Sequence, residues 1–106
     1  MRNSIKELFI LAALAFTANV SADGTRFLED CNNYAVSRGT FGQGYCIGVV
    51  VGVISASDKI CLPENVTFKQ AVLIVEKYLK DNPQELHFSE GSLAEYALSK
   101  TWACPK

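Results

Sequence analysis

The sequence predicts an all-α fold: a compact bundle of four main helices with short joints, stapled by two disulfides. Three observations carry this prediction. Apolar residues recur at helical spacing in successive segments, while no segment alternates at period two. Helix start and stop signals fall between those segments. Four cysteines, Cys31, Cys46, Cys61 and Cys104, sit in a stretch of chain small enough to benefit from cross-links.

The amino-terminal segment is read apart from the fold. "MRNSIKE" carries Arg2 and Lys6, and an apolar run from Leu8 to Val20 follows. Val20-Ser21-Ala22 places small or compact residues ahead of Asp23. This is the layout of a secretory signal peptide covering residues 1–22, cleaved before Asp23. As a helix the run would measure about 20 Å, short of a hydrocarbon core of roughly 30 Å, so a membrane anchor is disfavoured. Residues 23–106 then form one domain with an expected periplasmic location and no membrane association after cleavage. Losing Arg2, Lys6 and Glu7 moves the net charge from −1 to −2. The charges are mixed along the chain, and neither nucleic acid nor lipid headgroups are expected partners. In an exported chain an even cysteine count reads as disulfides. Zinc is disfavoured because there is no Cys-x-x-Cys pair and the sole histidine, His87, has no cysteine at ligand spacing. No cofactor is expected.

The first helix is predicted from about Thr25 to Arg38, with Phe27, Leu28, Cys31, Tyr34 and Ala35 on one face and Gly39 as its stop. The second runs from about Phe41 to Ser57 and contains "GYCIGVVVGVIS". Its valines favour strands, but no partner strand exists, and tertiary packing overrides that preference. On a helix Gly44, Gly48 and Gly52 line one side. Each glycine costs a helix about 1 kcal/mol, so close packing is expected to offset it, either within the monomer or against a second copy.

Thr67 with Gln70 is a capping box that opens the third helix, whose expected stripe is Phe68, Ala71, Val72, Val75, Tyr78 and Leu79. The Asn-Val-Thr triplet at Asn65 fits a glycosylation acceptor, but Thr67 is read as the cap. The third helix ends near Asp81. Asn82-Pro83-Gln84-Glu85 reads as an N-cap and first turn of a short helical segment. The fourth helix, from about Glu90 to Thr101, is expected to bury Leu93, Tyr96 and Ala97. In antiparallel helix pairs, Cys31 and Cys46 come to similar height, as do Cys61 and Cys104. This favours Cys31–Cys46 and Cys61–Cys104 over the other two pairings.

No catalytic residue is assigned. A thiol nucleophile needs a base partner, and His87, although Glu85 and Glu90 are close in sequence, is read as solvated or capping. The polar joint from Ser57 to Asn65, tethered at Cys61, is either an ordinary connection or a rigid binding element. The second reading gains from the small entropy such a loop loses on docking.

A Cys in the first helix, then "GYCIGVVVGV", then "ICLPENVTFKQAVLIVEKYLKDNPQELHFS" and a final "WACP" together resemble the Rap/Tai family of type VI secretion immunity proteins. The resemblance spans about residues 28–104. "TWAC" stands where a Phe-Pro-Cys ending is common in the family, and Asn82 where His often stands. The resemblance implies a periplasmic homodimer that binds a peptidoglycan amidase effector, a cysteine peptidase, and caps its active-site cleft without catalysis of its own. The candidate contact residues are Asp58, Lys59, Glu64 and Asn65 on one joint, and Asn82, Gln84, Glu85 and His87 on the turn after Asp81. An acidic, amide-rich loop suits a cleft built for acidic, amide-linked stems. The rival readings are a small periplasmic acid-stress chaperone, for which a lone histidine is a poor trigger, and a general binding module.

Overall fold

A computed structural model describes residues 24–32 and 41–106. The predicted signal peptide, Tyr34, Ala35 and Gly39 lie outside the described residues. Four helices are present among them: α1 (Gly24–Asn32), α2 (Phe41–Ala56), α3 (Phe68–Asp81) and α4 (Glu90–Thr101). A single 3₁₀ turn, Pro83–Glu85, separates α3 from α4. There is no strand among the described residues, only one isolated antiparallel bridge, Ile60 to Ala103. The all-α reading holds.

Each helix touches the other three, and one cluster of buried side chains lies between them. Helix α1 contributes Phe27 and Cys31, one turn apart, both fully buried. Helix α3 contributes Ala71, Val72, Val75 and Leu79, and α4 contributes Leu93, Ala94, Ala97 and Leu98. Two aromatic assignments differ from the sequence reading. Phe68 is 50 % exposed at the first residue of α3, and Tyr96 is 55 % exposed on the outer side of α4. Tyr78 sits half-buried between core and solvent.

Of the two start signals read in the sequence, one acts as read and one does not. Gln70 N–H donates to Thr67 Oγ1 at 3.2 Å and Thr67 N–H donates to Gln70 Oε1 at 2.9 Å, the reciprocal capping box. Ser89 caps α4 through Ser92 N–H. Asn82 stands at the N-cap position of the 3₁₀ turn but makes no side-chain cap. Its Nδ2 instead donates to the Tyr78 carbonyl at 2.9 Å, closing the end of α3.

The disulfides are Cys31–Cys46, tying α1 to α2, and Cys61–Cys104, tying the α2–α3 joint to the tail after α4. Cys31 and Cys46 are part of the core, whereas Cys61 is exposed. The second bridge is reinforced by backbone pairing: Cys61 N–H donates to the Trp102 carbonyl at 2.9 Å and Cys104 N–H to the Lys59 carbonyl at 3.4 Å.

Gly24 is buried where α1 begins. Its N–H donates to the Leu86 carbonyl at 2.6 Å. A Cβ added there would come within 2.6 Å of Leu93 Cδ1 and 2.9 Å of the Leu86 carbonyl oxygen. The side chain could move, but the backbone oxygen is fixed by its own turn. Gly24→Ala is therefore expected to destabilise the fold by about 1–3 kcal/mol through overpacking. Unfolding midpoints measure the loss, and amide shifts at residues 85–88 report the displaced turn.

Candidate functional site

The polar candidates fall into two groups at opposite ends of α3. That helix has 14 residues, so the groups stand about 20 Å apart. They do not form one site within one chain.

At the first end, Asp58, Lys59, Glu64 and Asn65 are all exposed on the α2–α3 joint. Lys59 N–H donates to Ser57 Oγ at 3.1 Å, and Val66 N–H to the Pro63 carbonyl at 3.1 Å, so both arms of the joint are turned locally. Lys59 Nζ lies 3.8 Å from Glu95 on α4. Both partners are solvated, and such a pair adds little stability. The bridge at Cys61 and the backbone pairing beside it hold this joint against the carboxyl-terminal tail.

At the other end the turn between α3 and α4 is braced from below. Tyr78 Oη donates to Glu85 Oε1 at 2.7 Å. Burial, then this hydrogen bond, holds the Tyr78 phenol well above its usual range, so it remains a donor throughout the working pH range. Gln84 Nε2 donates to Asn82 Oδ1 at 3.2 Å, and Phe88 N–H to the Glu85 carbonyl at 3.0 Å. Gln84 and His87 are exposed, while Asn82 and Glu85 are half-buried.

The histidine has an aromatic neighbour in this arrangement. Its ring packs on Phe88 with centroids 4.2 Å apart. The two carboxylates nearest it in sequence are engaged by tyrosines: Glu85 by Tyr78, and the buried Glu90 by Tyr45 Oη at 2.5 Å. The bond to Glu90, then burial, raises the Tyr45 phenol above its ordinary value. All four cysteines are in disulfides, so no thiol is left to act as a nucleophile. Among the described residues there is no cluster of His, Cys, Asp or Glu able to hold a metal ion, and no helix long and apolar enough to cross a membrane.

The glycine row has an unexpected setting. Gly44, Gly48 and Gly52 are exposed, and a Cβ added at any of them meets nothing within 4 Å among the described residues. Among the described residues nothing packs against them. Helix α2 buries Cys46 and Val50 against its neighbours and turns its glycines outward, beside the exposed rings of Phe41 and Tyr45. Its 16 residues include no charged side chain. Of the two settings read for the row, the monomer offers no partner among the described residues, and because α2 is apolar all round its periodicity does not choose a buried face.

Disulfide-stapled helices that hold two short polar turns define a small helical domain. A family model described as Rap1a immunity proteins matches residues 23–104, so the chain belongs to the Rap1a immunity protein family. No curated protein and no solved structure gives a match. Members of an immunity family bind a cognate effector and are generally not enzymes.

Proposed function

We propose that this protein is a periplasmic antidote to a type VI secreted peptidoglycan amidase, and that it occludes the effector's active site and protects the producing cell. The family match over residues 23–104 carries the reading. The hydrophobic leader supports export, and the two disulfides suit an oxidising compartment. The mechanism is steric: rigid turns, ordered before binding, lose little entropy when they enter a cleft. The test is a stoichiometric one. The purified protein is mixed with the type VI peptidoglycan amidase of the producing cell, and release of cleaved stem peptides from cell wall is followed. Cleavage should stop at equimolar antidote. Undiminished cleavage in the presence of excess protein rules the reading out.

The protein is further proposed to act as a homodimer, supported by the uncharged open face of α2. Gly48→Leu is expected to turn the dimer into a folded monomer, as read by light scattering alongside circular dichroism. A dimer of unchanged mass would place the contact elsewhere. The acid-stress chaperone reading gains no support from His87, which packs on one aromatic ring at the surface.

A further inference from the structure

Beside the turn after α3 lies a groove of about 360 Å³ lined by Glu85, Phe88, Ser92, Leu93 and Tyr96. Its floor is Leu93, 2 % exposed, which is held from behind by the start of α1 at Gly24. Its walls are two large rings that the fold leaves open, Phe88 at 48 % and Tyr96 at 55 % exposure. Both rings are braced: Phe88 by His87 at 4.2 Å, and Tyr96 by Tyr78, with centroids 5.6 Å apart. Among the described residues the only charged one lining the groove is Glu85, and no Lys or Arg among them does so. Glu85 is itself oriented by the Tyr78 hydroxyl.

We infer that this groove anchors the effector by receiving an apolar side chain flanked by a Lys or Arg on the effector's surface. The chemistry selects that occupant. An apolar floor between two aromatic rings takes hydrocarbon, and aromatic side chains around a pocket that a partner can desolvate are a usual composition of an interface anchor. The single carboxylate at the rim favours a neighbouring cation and disfavours an acidic one. The room available holds one or two side chains. The anchor sits next to the polar Asn82–His87 turn, so an apolar centre and a polar margin adjoin, as in a protein interface.

The inference rests on the effector-binding reading, and two measurements keep their failures apart. The first needs no effector. The dipeptide acetyl-leucyl-lysine amide is titrated into the full protein without its leader and followed by amide proton–nitrogen spectra. Shifts centred on Phe88, Ser92, Leu93 and Tyr96 that vanish in Phe88→Ala support the groove. An unperturbed spectrum at millimolar dipeptide, or shifts gathered elsewhere, overturns it. The second measures affinity for the amidase. Phe88→Ala and Tyr96→Ala should each weaken binding about tenfold or more. Glu85→Gln should weaken it by about threefold and flatten its salt dependence. Phe88→Ala should keep the wild-type melting temperature. If wild type binds and both aromatic variants bind equally well, the groove is refuted and the antidote reading stands. If wild type fails to bind the amidase, the antidote reading falls, and the dipeptide result decides the groove alone. If the variants instead lower the assembly mass, the groove is a contact between copies and the inference is overturned.

Discussion

Replacing Cys61 and Cys104 together by Ser is expected to lower stability by about 4 kcal/mol, or about 20 °C in melting temperature. The estimate follows from the 43-residue separation of the pair, which the bridge closes in the unfolded chain. The same chain-entropy reasoning gives about 3 kcal/mol for Cys31–Cys46, with its 15-residue separation. Denaturant unfolding by circular dichroism measures both. The two bridges should also differ in sensitivity to reductant. Thiolate attack needs access to a sulfur, and Cys31 and Cys46 are fully buried while Cys61 is exposed. Mild reduction followed by alkylation is expected to label Cys61 and Cys104 first. Equal labelling of all four cysteines would mean that the core opens as readily as the surface.

Phe27→Ala is the second large effect, expected at about 3–5 kcal/mol. Phe27 is the bulkiest fully buried side chain among the described residues, and it comes from α1. A short helix is held by the apolar face it buries more than by backbone bonding, and α1 buries Phe27 and Cys31. The deletion is therefore expected to loosen α1 in particular. Hydrogen exchange at residues 27–32 would rise well beyond the global change. A uniform loss of protection would instead show that α1 unfolds only with the whole molecule.

Much of this fold was legible because its signals are local. Thr67 with Gln70 marks the start of α3 through the bonds those side chains make. The end of α3 at Asp81 follows from the Asn82-Pro83 signal just beyond it. The disulfide pairing followed from antiparallel geometry, which sequence spacing constrains. What stayed hidden depends on which side the neighbours occupy. Helix α2 offers apolar residues in every direction, and only the structure shows that its glycines face outward. Tyr96 falls on a helical stripe with Leu93 and Ala97 but stands just beyond the edge of the packed zone. Phe88 belongs to no periodic segment, so the groove it forms with Tyr96 left no trace in the pattern. The two polar joints were readable as joints, and the helix read between Thr67 and Asp81 already set them a helix length apart.

The position of Gly24 has a practical consequence for anyone handling the molecule. Gly24, one residue after the predicted cleavage product's start at Asp23, is pressed against Leu86 and Leu93, beside the turn that carries Glu85 and His87. An affinity tag or fusion partner placed just ahead of it would emerge next to that turn and next to the groove. A tag following Lys106 would emerge from the other end of α3, near the Cys61–Cys104 bridge. Carboxyl-terminal tagging is thus the arrangement that leaves the α3–α4 turn clear for inhibition assays.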